Sequence, residues 1–316
     1  MLSKTMSRYA VSVLGFVLVM SLCIGVPGAI AEDEPDPCEG KGDGCLFGCP
    51  DDADFTMDFR LEDCKFQTTG INPFFILKPG YQLVLESEDE KSVETVLCDT
   101  KMINLDGRRI RTRVVEERAY ELEVEDGEVV EEKLIEISRN YFAICKKTNA
   151  VYYFGEFSQD CENGFTEDEQ MCEGEDGDET TPPLTTGSWE AGVNGARPGL
   201  IMPGTPLKGA RYYQEIAEED GAVDRGEIVD VGLAWPPMED LEDGEEPNFT
   251  GCIEINDTNP TDPDGPVCGF GEDIKIYCPK IGLVQDQELV LVERNFVGCY
   301  GDDDDDHDKS WRWSKR

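Results

Sequence analysis

Tyr120-Glu121-Leu122-Glu123-Val124-Glu125-Asp126-Gly127-Glu128-Val129-Val130-Glu131-Glu132-Lys133-Leu134-Ile135-Glu136-Ile137 decides the fold class. Its flanks carry β-branched and aromatic residues with a period of two, and Asp126-Gly127 divides them. Asp-Gly tolerates the positive φ of a two-residue hairpin turn, so the segment predicts two antiparallel strands. The pattern recurs on either side. Asp106-Gly107 separates Lys101–Ile103 from Arg109–Val115, and Thr148-Asn149 separates Tyr141–Cys145 from Val151–Phe154. Tyr81/Leu83/Leu85, Ile274/Ile276 and Leu289/Leu291 alternate in the same way. Short links between such strands give an antiparallel meander.

No long amphipathic helix competes with this reading; Tyr212–Glu219 reads as a short helix, and Arg211–Glu215 reads as well as a strand. The expected fold is therefore mostly β: an antiparallel, strongly curved sheet or incomplete barrel of about eight to ten strands. Disulfide-stapled acidic insertions interrupt it at 159–183 and 238–273. Between them Gly187–Gly209 is crowded with Gly and Pro, which predicts irregular structure over most of its length.

The front end sets the compartment. Lys4 and Arg8 precede an apolar run from Val11 to Val26, then Pro27-Gly28-Ala29-Ile30-Ala31 and Glu32-Asp33-Glu34. That order predicts a secretory signal peptide over 1–31 rather than a membrane anchor. Leu22 stands before Cys23 where a lipoprotein would have a small residue. Removing Cys23 with the signal leaves 13 − 1 = 12 cysteines, and an even count in an exported chain reads as a disulfide framework. Residues 32–70 form a Cys-rich segment poor in large apolar side chains, 71–300 the β domain, and 301–316 an acidic disordered tail.

Charge excludes some partners. The chain carries 69 acidic and 28 basic residues, a net of −41, or −41 − 2 = −43 once Lys4 and Arg8 are gone. Nucleic acid and anionic membranes need a basic surface, so neither is expected. The expected partner is an apolar ligand or a surface protein. The acidity reads as a solvated surface or, more sharply, as cation-binding loops. No apolar stretch after Ala31 approaches the ~20 residues of a membrane-spanning helix.

Catalytic constellations are sparse. The single histidine, His307, sits in the acidic tail, a poor place for a positioned imidazole. No C-x-x-C pair, Walker loop or G-x-G-x-x-G motif is present. A carboxylate-dependent hydrolase remains open, with no pair of acids standing out. Asp257, Asn259, Asp262 and Asp264 in Asp257–Gly265 form a candidate Ca²⁺ loop, because hard oxygen ligands and a turn glycine suit that ion. An ordinary Asp/Asn/Pro turn is the favoured reading of the same residues. Asn248-Phe249-Thr250 and Asn256-Asp257-Thr258 fit the N-glycosylation sequon.

Strand pairing predicts bridges. Cys252 precedes Ile253-Glu254-Ile255, and Cys278 follows Ile274-Lys275-Ile276-Tyr277. Antiparallel pairing brings the two face to face as Cys252–Cys278. Cys161–Cys172 is expected to close the first acidic insertion, and Cys98–Cys145 to join neighbouring strands. Cys38, Cys45, Cys49, Cys64, Cys268 and Cys299 have no assigned partners.

The central block Ser188-Trp189-Glu190-Ala191-Gly192-Val193-Asn194-Gly195-Ala196-Arg197-Pro198-Gly199-Leu200-Ile201-Met202-Pro203, followed by Tyr212-Tyr213-Gln214-Glu215, resembles an uncharacterised family of secreted bacterial β-rich proteins. So do Asp224–Glu227, Asn72-Pro73-Phe74, Leu77–Gly80, Val151–Glu156 and Lys275–Val284. The resemblance spans Asn72 to Val292 and implies a β fold and export, without a reaction. Cys278, where the family more often has Ala, departs from the pattern. Cys98, Cys145 and the acidic insertions also look like additions. Within the block Trp189, Arg197, Tyr213 and Glu215 are candidate ligand-binding residues at a pocket rim. Alternatively the block plugs one end of the sheet, with Trp189 in the core and Arg197 paired to Glu215 or Asp224. Together these readings favour a non-enzymatic exported protein, periplasmic or extracellular, that binds an apolar or amphipathic ligand or a partner. The rivals are a structural or surface-interaction protein and the hydrolase.

Overall fold

The computed structural model describes residues 55–125, 127–174, 180–238, 241, 246–260 and 273–299, with the backbone of 311–312. The signal segment and Cys38, Cys45, Cys49 and Cys268 lie outside the described residues.

The strands in chain order are β1 Phe66–Gln67, β2 Tyr81–Glu86, β3 Glu90–Leu105, β4 Arg108–Glu125, β5 Glu128–Cys145 and β6 Val151–Asp160. Then follow β7 Cys172–Glu173, β8 Thr180–Thr181, β9 Trp189–Glu190, β10 Arg197–Met202, β11 Arg211–Tyr213 and β12 Glu215–Ile216. The last are β13 Arg225–Trp235, β14 Phe249–Thr258, β15 Asp273–Cys278, β16 Gly282–Asp286, β17 Leu289–Phe296 and β18 Trp311–Arg312. Sixteen belong to one sheet, more than the eight to ten expected, because several are only two or three residues long.

The expected hairpins form. Leu105 pairs with Arg108 across Asp106-Gly107, both at positive φ (50° and 78°). Glu125 pairs with Glu128 across the Asp126-Gly127 turn, and Asn149 turns the chain at φ 60°. Each step from β2 to β6 and from β13 to β17 is antiparallel. Pairing of β17 with β2 fuses the two meanders, and β10 and β12 continue beyond β6.

The ladder runs β11-β13-β14-β15-β16-β17-β2-β3-β4-β5-β6-β10-β12. Its two end strands are successive in the chain, and the single residue between them, Gln214, is too short a link for them to pair. No ladder closes the sheet, so the strong curl or incomplete barrel expected from sequence is not shown. Gln214 and Glu215 instead both donate their N–H groups to the Asp224 carbonyl (2.7 and 3.1 Å).

Three further points concern local structure. The Gly/Pro-rich block is irregular over most of its length, as expected, but β9 and β10 lie in it. Gly199 permits this: a Cβ there would stand 2.0 Å from the Gln214 carbonyl oxygen. Of the two readings of the segment after Ala210, the strand is the one formed, over Arg211–Tyr213. Within the tail read as disordered, Trp311–Arg312 adds a two-residue strand to β17.

Cys161–Cys172 and Cys252–Cys278 are bridged as expected, with Cα atoms 5.1 and 4.1 Å apart. Cys98–Cys145 is not formed. β4 lies between β3 and β5, so those two cysteines sit on strands that do not touch. Cys98 joins Cys299 (Cα–Cα 5.5 Å) and Cys145 joins Cys64 (5.1 Å). Cys98 lies where the β3–β4 register shifts, and Arg113 Nη1 donates to the freed carbonyls of Leu97, Cys98 and Asp99. The described part of the Cys-rich segment packs on the sheet: Phe66 of β1 meets Tyr152 and Phe154 edge-on.

Candidate functional site

Period-two patterning puts every second residue of a strand on one face. In β5 the face that holds Glu136, Ser138 and Asn140 is buried, Glu136 to 2 % exposure. The same holds for Glu156, Ser158 and Asp160 of β6, Ser92 of β3 and Glu117 of β4. The register lines them up: Glu94 opposes Glu117, Glu117 opposes Ser138, and Ser138 opposes Ser158. From the other meander come Asp257 of β14, Lys275 of β15 and Asp286 of β16, with Lys275 directly opposite Asp286. Lys275 is 2 % exposed.

Lys275 Nζ lies 3.3 Å from Asp286 Oδ2 and 3.5 Å from Asp257 Oδ2. Asp257 Oδ1 accepts from Gln214 Nε2 at 2.8 Å. Ser92 Oγ donates to Glu117 Oε1 (2.9 Å) and Ser158 Oγ to Glu136 Oε1 (3.1 Å), and the Tyr153 hydroxyl lies within hydrogen-bond reach of both Asn140 Oδ1 and Glu156 Oε2 (2.9 Å to the latter). One ammonium thus serves a group of carboxylates larger than it can neutralise.

Burial sets the protonation of this group. It pushes Glu94 up to about 7, with Asp286 adding and Lys275 opposing. It holds Glu117 well above the usual carboxylate range, helped by Glu94. Asp257 rises to about 7 and Asp286 to about 6, again through burial, with Lys275 pulling both down. Glu156 reaches about 7, and Glu215 and Asp224 stand well above the usual range, each led by burial. Burial works against the Lys275 charge, but Asp286, Asp257 and Asp273 outweigh it and hold the ammonium protonated.

Beside this group opens a cavity of about 60 Å³. Phe74, Phe75, Ile76, Phe142, Ile281 and Leu283 form apolar wall, while Glu94, Glu117, Asn140, Lys275, Tyr277 and Asp286 form a polar side. Asn72 shapes the Phe74–Ile76 edge: its Oδ1 accepts from the N–H groups of Phe74 (2.9 Å) and Phe75 (3.2 Å). An apolar pocket with a few convergent polar groups has the composition of a small-molecule site.

The four block residues are not a rim. Trp189 is 3 % exposed and meets Tyr153 edge-on at 5.3 Å, so it is core. Glu215 is buried beside it. Tyr213 is buried with its ring against Phe55 (6.1 Å). Arg197 is exposed, and no ion pair to Glu215 or Asp224 is present among the described residues. Its neighbour Pro198 opposes Glu215 in the β10–β12 register, which turns the two side chains to different faces. None of the four lines the cavity.

The Ca²⁺ loop is also revised. Asp257 points into the buried network, where its carboxyl oxygens are already engaged by Lys275 Nζ (3.5 Å) and Gln214 Nε2 (2.8 Å). Asn259 follows β14 and is half-buried, while Asp262 and Asp264 lie outside the described residues. No convergent group of three or more His, Cys, Asp or Glu side chains suited to a metal is found among the described residues. Asn256, of the second glycosylation sequon, sits in mid-strand with its Oδ1 buried.

Sequence reasoning passed over the acids that matter by taking Glu136/Ser138 and Lys275 as polar partners in ordinary alternations. Ser92-x-Glu94, Glu136-x-Ser138-x-Asn140 and Glu156-x-Ser158-x-Asp160 carried the signal: polar runs of period two on neighbouring strands, mixing acids with small amide and hydroxyl side chains that can satisfy them. Comparison with protein families, curated proteins and solved structures finds no match.

Proposed function

We propose that this is an exported, non-enzymatic protein whose sheet wraps an internal cavity that takes a small apolar or amphipathic ligand. The cavity carries the reading: one side is aromatic and aliphatic, the other ionisable, so a ligand with an apolar body and a polar end fits both. The wrap is part of the proposal, and it is supported by Glu156 of β6 and Asp257 of β14 both bearing electrostatically on Asp224. Export is supported by four described disulfides, which persist in oxidising compartments. No described helix is long and apolar enough to cross a membrane.

The hydrolase reading fits less well. Glu94 and Glu117 face each other, but burial raises both. A carboxylate mechanism needs one acid ionised and its partner protonated. The test is a methyl-NMR titration with n-butanol. Methyl signals of Leu83, Val96, Val115, Ile281 and Leu283 should shift together and saturably. If they move no more than those of exposed Ile71 and Leu207, the cavity takes no such ligand.

A further inference from the structure

We propose that the cavity is selective for small organic cations, taking the ammonium group of an alkylamine against Glu94 and Glu117 with the alkyl body on the aromatic wall. This rests on the ligand-binding reading above and names the chemical class of the ligand.

The charge inventory points that way. Glu94, Glu117, Asp286 and Lys275 line the cavity. Lys275 is already shared between Asp286 and Asp257. Among the described residues Glu94 makes no ion pair and no hydrogen bond. Glu117, 7 % exposed, uses Oε1 for Ser92 and has no hydrogen-bond partner for Oε2. Tyr277, also 7 % exposed, lines the cavity with a hydroxyl that makes no hydrogen bond among the described residues. Glu117 and Tyr277 are buried and Glu94 half-buried, and polar groups that face a cavity without protein partners favour a ligand that supplies them. An ammonium brings three N–H donors and one positive charge, enough for Glu94, Glu117 and the Tyr277 oxygen together.

The walls suit the same head group. Phe74, Phe75, Tyr81, Phe142 and Tyr277 all line the space. The negative face of an aromatic ring attracts a cation within ~6 Å, and desolvated sites gain most. A carboxylate-headed amphipath would have to compete with Asp286 and Asp257 for Lys275. A neutral alcohol would satisfy hydrogen bonds but not the missing charge. A bare metal ion is a poor fit, since half the lining is hydrocarbon and a hard cation needs several oxygens.

The same methyl-NMR titration decides, at fixed ionic strength and pH 7.5, with n-butylammonium, n-butanol, butyrate and Nα-acetyl-lysine methylamide as probes. n-Butylammonium should bind at least about tenfold more tightly than n-butanol, and butyrate most weakly. If the lysine amide binds as n-butylammonium does, the ammonium comes from a peptide side chain. If it does not, the ligand is a free amine. Either result keeps the proposal. Glu117→Gln and, separately, Glu94→Gln should each lower the ratio of n-butylammonium to n-butanol affinity about tenfold, and each is nearly isosteric, so one folded variant suffices. Equal affinity for n-butylammonium and n-butanol, or tighter butyrate, overturns cation selectivity and leaves the amphipath reading standing. No cavity shift with any probe overturns both.

Discussion

Acid should stabilise this protein over a range where it leaves most acidic proteins unchanged. The perturbation is a change from pH 8 to pH 5.5 at constant ionic strength. Histidine is the side chain that ordinarily titrates there, and the chain has one, His307. Ordinary carboxylates stay ionised throughout. Only carboxyl groups held high by burial respond. For such a group the folded state keeps its proton while the unfolded chain has lost it. Its stabilising contribution is therefore complete below the unfolded value and disappears as pH rises through the folded one. Glu94 moves from 4.5 to about 7, and 7 − 4.5 = 2.5 units at ~1.36 kcal/mol each is about 3 kcal/mol. About 2 kcal/mol of that falls between pH 8 and pH 5.5. Glu156, Asp257 and Asp286 act in the same direction. Asp257 and Asp286 share Lys275, and the Asp160 charge acts on Glu156, so the contributions do not simply add, and one group sets the floor.

For a domain of this size ~2 kcal/mol corresponds to a Tm about 4–8 °C higher at pH 5.5 than at pH 8. Scanning calorimetry across the window reads it directly. Glu169 and Asp230, whose carboxyls are lowered by hydrogen bonds to Arg118 and to the Val231 N–H respectively, lose their contribution only below the window. Glu94→Gln should raise the Tm at pH 8 and flatten the slope. A Tm that is constant or falls on acidification would show that these carboxylates are hydrated or paired, and the buried network as described would be wrong.

Other outcomes follow from the same structure. Lys275→Met strands Asp257 and Asp286 without their cation and should cost ~3–5 kcal/mol at pH 8, but clearly less at pH 5.5, in paired denaturant melts. Trp189→Ala should cost ~3–5 kcal/mol because the ring is core, and an unchanged midpoint would restore the rim reading. With a net charge of −41, Tm should rise from low salt to ~1 M NaCl, where the Debye length falls to ~3 Å. Millimolar Ca²⁺ should add no more than its ionic strength explains, and a larger effect would point to Asp262 and Asp264.

The hairpins were legible because Asp106-Gly107 and Asp126-Gly127 specify positive φ locally, and the flanking alternation needs only neighbouring residues. Cys252–Cys278 was legible for the same reason, since it follows from pairing two adjacent strands. Cys98–Cys299 was not. It depends on β17 returning to β2, a contact between segments 201 residues apart that no local pattern encodes. Nor could period two say which face is inside. In β5 both faces carry residues suited to burial, and only the sheet's partners choose. The Trp189 block misled in another way. Its Gly and Pro content reads as a loop, yet Gly199 is there to let β10 approach the Gln214 backbone.

The acidity of this chain therefore has two physical meanings. On the exposed faces, as at the tip of the β4–β5 hairpin with Glu123, Glu125, Glu128, Glu131 and Glu132, charge is solvated and screened by salt. Inside, the acids cannot be explained by solubility, because a buried carboxylate is a cost unless something compensates it. Apolar residues of similar volume would have made a more stable core. Two compensations are available, a proton or a cation. The first makes stability rise as pH falls. The second makes the cavity prefer an ammonium. Both follow from a single imbalance, one lysine set among more carboxylates than it can serve. The two experiments are therefore linked: a saturating amine should raise the Tm more at pH 8 than at pH 5.5, because at the lower pH protons already occupy the acids the amine would meet. An equal rise at both pH values would separate the cavity from the titrating network.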